Sequence, residues 1–138
     1  MTIKETLIAA AFEAKKKSYS PYSSFCVGAA ILTESGKIYS GCNVENASYG
    51  GTICAERTAA LHAVFDGERR FAAIAVAGAS KNSKSTDSFA YPCGICRQFL
   101  REFALPNMKV YVAASPEDVL ECTLEEMLPH SFGPENLK

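Results

Sequence analysis

Tryptophan is absent, histidine occurs only as His62 and His130, and no apolar run approaches the roughly 20 residues needed to span a bilayer. Nor is there an excess of one charge: Lys and Arg total 14 against 15 Asp and Glu, a formal net of -1. A chain with no basic surplus carries no electrostatic footprint for nucleic acid or for an acidic membrane surface. The run Lys15–Lys17 reads as the solvated end of a helix, where cations suit the helix dipole. There is no internal repeat, no low-complexity tract, and no Walker-type Gly-Lys loop to cradle a 5′-phosphate. The opening MTIKETLIAAAFEAKKK lacks the basic-then-apolar order of a secretory signal, so a cytoplasmic protein is expected.

What remains is an ordinary soluble composition, 48% hydrophobic and 21% charged, in a chain whose 138 residues suit a single domain spanning 1–138. Its six cysteines, at 26, 42, 54, 93, 96 and 122, are then expected as metal ligands, catalytic groups or buried fillers, not as disulfides. Thr2 with Glu5 forms a capping-box pattern ahead of Ile3, Leu7, Ala10, Ala11 and Ala14 at helical spacing. A turn-rich stretch from Tyr19 to Ser24 leads to a hairpin, 25–33 and 37–41, turning at Glu34-Ser35-Gly36. The loop CNVENASYGG precedes a helix in TICAERTAALHAVFDG that stops at Gly67. FAAIAVAGAS reads as a strand, SKNSKSTDS as a surface loop, and PCGICRQFL as a helix opened by Pro92 and finished before Pro106. KVYVAAS and VLECTL read as strands, followed by a short helix over 125–128. The alternation predicts an α/β layered domain with crossover helices on the sheet.

The pair Cys93-x-x-Cys96 has three chemical readings. A redox dithiol needs a thiolate exposed at a helix start; such pairs often sit beside a tryptophan, which this chain lacks. A closed structural zinc site needs four protein ligands. Cys54, which also opens a helix, supplies a third, but His62 lies eight residues further on, about 12 Å along that helix. His130 sits in the terminal LPHSF, and Cys26, Cys42 and Cys122 lie in strand-like segments. The third reading needs only three ligands, an open position for water, and a proton carrier beside it. Glu56, two residues after Cys54, is that carrier; two helix N-termini and Arg57 would offset the charge of three thiolates.

CAER followed by PCGICRQ matches the zinc deaminase pattern, in which a metal ligand precedes Glu by two residues and Pro-Cys-x-x-Cys follows downstream. With YSPYSSFCVGAA, GCNVENASYGGTICAER and MLPHSFGPENL, the sequence resembles the small homotetrameric cytidine deaminases over nearly its whole length. That resemblance implies a three-layer α-β-α fold with a mixed five-stranded sheet, and one Zn²⁺ per subunit held by Cys54, Cys93 and Cys96. It implies Glu56 as proton shuttle, Arg57 as the arginine easing thiolate charge, and Phe25 and Ala55 on the pyrimidine side of the pocket. Asn43 and Glu45 match residues that hold the sugar hydroxyl. Tyr49 and Phe132 match residues that a neighbouring subunit contributes.

The reaction implied is hydrolytic removal of ammonia from cytidine and deoxycytidine in pyrimidine salvage. Glu45 would repel a 3′-phosphate, so a free nucleoside is expected over a nucleotide or polynucleotide. Three rivals are a deaminase of modified cytosine nucleosides, a polynucleotide-editing deaminase and a non-catalytic zinc module. The scaffold would have no need of Glu56.

Overall fold

The computed structural model describes residues 1–81 and 89–138. Most of the stretch read as a polar surface loop, residues 82–88, lies outside them. The first helix, α1 (Ile3–Lys15), starts at Thr2, whose hydroxyl accepts the Glu5 amide at 3.1 Å. Its buried stripe is Leu7, Ile8, Ala11 and Ala14. Ile3, expected on that stripe, is exposed, and Ile8 takes the inward place one residue after Leu7.

Strands β1 (Phe25–Thr33) and β2 (Ile38–Cys42) form the hairpin, and α2 (Ala55–Phe65) carries the chain across the sheet to β3 (Phe71–Ser80). Helix α3 (Gly94–Arg101) crosses to β4 (Ala104–Ala113), and β5 (Val119–Thr123) and α4 (Leu124–Met127) follow. The strand order is β2-β1-β3-β4-β5, with β3 and β4 parallel and every other pair antiparallel. Helix α1 covers one face; α2, α3 and α4 cover the other, giving three layers.

Alternation along β1 feeds both layers. Ala29 and Ile31 join the core under α2 and α3, while Ala30 packs beneath α1. Phe71, fully buried, contributes about 3 kcal/mol to the α2–α3 side by the area it removes from water. Glycine sets how closely the helices approach. A Cβ at Gly28 would lie 2.1 Å from the Ala11 carbonyl oxygen, and one at Gly41 would lie 2.4 Å from the Ala59 amide nitrogen. Each helix backbone therefore rests directly on a strand backbone.

The largest departures from the sequence reading are at the two ends of the α3–β4 segment; other element ends, such as β2 at 38–42 and α4 at 124–127, move by one or two residues. Helix α3 begins after Cys93, which caps it, and not at Pro92. It ends at Arg101, and β4 begins at Ala104, so Pro106 lies inside a strand. The ladder to β3 slips there, from Phe71–Ala104 to Ala73–Lys109, and Asn107 has φ of +62°. A bulge leaves an amide without a ladder partner, so proline is tolerated in a stretch that reads as a break.

Candidate active site

Cys54 and Cys93 occupy the capping positions of α2 and α3 with extended backbone, and neither side chain makes a capping hydrogen bond to a first-turn amide. Serine or aspartate there would turn inward to the first-turn amides; here the sulfurs are left for another partner. Cys96, one turn into α3, is fully buried. The three Sγ atoms lie within 4.8 Å of one another, with Cys54 and Cys93 3.8 Å apart. Thiolates on tetrahedral zinc, at about 2.3 Å from the metal, stand about 3.8 Å from each other. The donors are soft and the spacing matches, so the residues present fit the metal. No fourth His, Cys, Asp or Glu among the described residues joins the cluster. His62 faces the Ser40 carbonyl and the Tyr39 ring, and His130 lines a different concavity. All six cysteines are free thiols; Cys26, Cys42 and Cys122 are only half-buried, less enclosed than fillers would be.

Charge around the sulfurs is arranged unequally. The Cys96 thiol donating to Cys54, with the Arg57 guanidinium beside it, holds Cys54 down to about 5. The same hydrogen bond, with burial, pushes Cys96 well above the ordinary thiol range. One Arg57 Nη lies 3.7 Å from Cys54 Sγ and 3.4 Å from the Thr52 carbonyl oxygen. Its Nε is buried without a hydrogen-bond partner, so the guanidinium is held there more by the sulfurs' charge than by neutral acceptors. Glu56, only 4% exposed, is raised to about 7, first by burial and then by the Cys54 thiolate.

Beside the sulfurs is a cleft of about 340 Å³ lined by Phe25, Asn43, Glu45, Cys54, Ala55 and Glu56 among others. A larger concavity of about 590 Å³ lies at the far end of α3, away from the cysteines. The chemistry belongs with the smaller one, where the buried acid and a sulfur share a wall. The fold assembles this wall locally: Val44 and Ile53 pair through hydrogen bonds of 2.9 and 3.0 Å, setting Asn43 and Glu45 beside Thr52 and Cys54.

The sugar-side candidates already have partners. Asn43 Oδ1 accepts the Val27 amide at 3.0 Å and the Ser18 hydroxyl at 2.5 Å, while its Nδ2 donates to the Phe25 carbonyl at 2.8 Å. Glu45 accepts the amides of Tyr22 and Ser23 and the Ser23 hydroxyl. Tyr49 and Phe132 do not line the cleft of their own chain; they are 74% and 57% exposed. Ser23, Val27, Thr52, Ala90 and Tyr91 line it without having been singled out from sequence. Ser23 and Val27 stand in YSPYSSFCVGAA and Thr52 in GCNVENASYGGTICAER, while Ala90 and Tyr91 lie just ahead of PCGICRQ, and nothing in these stretches marks the residues as facing a cavity.

A soft three-sulfur ligand set with a buried carboxyl beside a nucleoside-sized cleft places the protein among metal-dependent hydrolytic enzymes. Residues 1–113 match the family model for the cytidine and deoxycytidylate deaminase zinc-binding region. The chain is 46% identical to a cytidine deaminase of Sporosarcina psychrophila, over 96% of this chain and 93% of that one. It is 42% identical to a cytidine deaminase of Halalkalibacterium halodurans, over 97% of each. The crystal structure of cytidine deaminase from Burkholderia pseudomallei superposes with a TM-score of 0.84 at 46% identity, covering 96% of this chain and 100% of the other. The chain belongs to the cytidine deaminase family and has its α/β fold.

Proposed function

We propose that this chain removes the C4 amino group of cytidine and deoxycytidine by hydrolysis, giving uridine or deoxyuridine and ammonia. The observation that carries this reading is Glu56: a carboxyl 4% exposed, two residues from a candidate metal-ligating cysteine, on the wall of the cleft that Glu45 and Cys54 also line. Cys54, Cys93 and Cys96 would hold one zinc ion, which when bound supplies the Lewis acidity that lets water lose a proton near neutral pH. Glu56 takes that proton and delivers it to ring N3, while hydroxide adds at C4. The same carboxylate then moves the proton of the new C4 hydroxyl to the amino group. Ammonia leaves, the C4 carbonyl forms, and the N3 proton stays. Burial raises this carboxyl above its ordinary range in the metal-free protein, and one carboxylate that accepts and returns a proton can perform both transfers.

Glu45, and Asn43 through its one uncommitted N–H, take the sugar hydroxyls; Phe25 and Ala55 line the base. Glu45 in the cleft, with no Lys or Arg among the described lining residues, favours a free nucleoside over a phosphorylated one, and the net charge of -1 argues against a polynucleotide. The working form is a homotetramer in which Tyr49 and Phe132 complete a neighbour's pocket. Support comes from Phe132: its backbone carbonyl accepts from Gln98 at 2.9 Å, while its ring is exposed and has no home in its own chain. We read residues 1–138 as one domain, supported by two apolar cores on opposite faces of one sheet. A cytoplasmic place in pyrimidine salvage agrees with six free thiols, and no described helix is long and apolar enough to cross a membrane.

Ultraviolet absorbance of cytidine, deoxycytidine, cytidine monophosphate and a short cytosine oligonucleotide, each incubated with zinc-loaded protein, tests the reading. Turnover of the two nucleosides with little of the others is expected. No turnover of any nucleoside by zinc-loaded protein, or preference for the phosphorylated forms, overturns it.

A further inference from the structure

Ser23 takes no part in the chemistry above, yet it lies on the cleft wall between a base-side and a sugar-side group. Its hydroxyl has one proton, which it donates to Glu45 Oε2. The same oxygen accepts the Phe25 amide at 3.0 Å. Its own amide, at 3.1 Å, and that of Tyr22, at 2.9 Å, both donate to Glu45 Oε1. A carboxylate oxygen accepts about two hydrogen bonds, so among the described residues Oε1 is filled and Oε2 keeps one acceptor site.

The turn that arranges these donors is unusual. Ser24, the next residue, has φ of +59°, a conformation that side chains other than glycine seldom adopt. It is held by its amide to the Ser20 carbonyl, 3.1 Å, and by the Lys81 amide to its own carbonyl, 2.5 Å. Three donors from two consecutive residues thereby converge on one carboxylate 22 positions along the chain. Ser23 has no spare proton for a ligand, so it acts on substrate only through Glu45 and Phe25.

We infer that Ser23 is a positioning residue for sugar recognition: its hydroxyl fixes Glu45 Oε2, leaving that oxygen's remaining acceptor site for a ribose-ring hydroxyl. The inference rests on the reading of Glu45 as the sugar-hydroxyl acceptor. It separates a recognition role from mere support of the turn, because only the former depends on the sugar offering a hydroxyl.

The test compares wild type, Ser23→Ala, Ser23→Thr and Glu45→Gln, all zinc-loaded, with cytidine and with 2′,3′-dideoxycytidine, which has no ring hydroxyl. For Ser23→Ala, KM for cytidine is expected to rise about tenfold with kcat nearly held, the pattern of lost uniform binding. The ratio of kcat/KM for cytidine over dideoxycytidine is expected to fall by about the same factor. Ser23→Thr, which keeps the hydroxyl, is expected to restore most of that ratio. If Ser23→Ala lowers both substrates equally, or lowers kcat with KM unchanged, Ser23 only supports the turn and the inference fails. If Glu45→Gln collapses the ratio while Ser23→Ala keeps it, the inference fails and the reading of Glu45 survives. If Glu45→Gln keeps the ratio, both fail. Should Ser23→Ala not fold, an unrestored ratio in folded Ser23→Thr overturns the inference, and a restored ratio supports it.

Discussion

The N-termini of α2 and α3 share one local build: a cysteine at the capping position, extended backbone, and a side chain that makes no capping bond to the helix's first-turn amides. They differ in the turn that follows. In α2 the next residues are Ala55, Glu56 and Arg57, a buried acid and a cation within hydrogen-bonding reach of the Cys54 sulfur. In α3 they are Gly94, Ile95 and Cys96, with no acid and a second, fully buried sulfur. Two of the three candidate metal ligands sit on α3, whereas the acid we propose for proton transfer and the cation beside the Cys54 sulfur sit on α2. The lesson is that one helix start, used twice, divides gripping a metal from working beside it. Each helix also has its own anchor: α2 lies on Gly41 of β2, and Arg97 of α3 donates to the Pro92 carbonyl at 2.7 Å and the Met127 carbonyl at 2.8 Å.

Breaking the gripping side has the largest expected effect. Cys96→Ser is expected to lose nearly all bound zinc and activity, and to lower stability further by about 1–3 kcal/mol because its hydroxyl would be buried without an assured partner. Cys93→Ser loses the metal too, but at an exposed position it leaves the melting temperature of the metal-free protein nearly unchanged. Zinc content by atomic absorption at the wild-type level in either variant would remove that cysteine from the ligand set. On the working side, Glu56→Gln is expected to keep zinc and fold while kcat falls by about 10²–10⁴-fold. Near-normal turnover in the zinc-replete variant would end the division of labour proposed here.

Smaller changes sharpen the contrast. Gly41→Ala places a methyl 2.4 Å from the Ala59 amide nitrogen and forces α2 off its strand. Stability should drop by about 1–3 kcal/mol, read as a lower urea midpoint at unchanged m-value. An unchanged midpoint would mean the helix does not need that contact. Arg57→Gln removes the cation beside Cys54, so in metal-free protein the lowest-titrating thiol should move upward in pH, seen by ultraviolet thiolate absorbance. No movement would assign the low value to the neighbouring Cys96 and Cys93 thiols. Gly94→Ala is the mildest: nothing lies within 4 Å of the added carbon, and stability is expected to stay within about 0.5 kcal/mol of wild type.

Much of the site was legible because its signals are local. Cys54 and Glu56 fall in one helical turn, as do Cys93 and Cys96, and the Thr2 cap and the hairpin turn are contained within a few residues. Less legible was anything decided by a distant partner. Pro106 reads as a break until the slipped register against β3 is known. Ser23 reads as one polar turn residue among several until Glu45 is brought over it. Ile3 satisfies the helical period yet stays outside, because the sheet beneath α1 meets Leu7 and Ile8 instead.

The order of elements, the identity of the sulfur donors and the acid beside them were determined by the chain's own spelling, since periodicity, capping and side-chain chemistry operate over a few residues. Tertiary structure alone decided that Cys54 and Cys93, 39 positions apart, stand 3.8 Å from each other, and that Tyr49 and Phe132 do not line the cleft of their own chain. The first outcome depends on strand register and on α2 seated on Gly41 of β2, long-range packing that no short window of sequence contains.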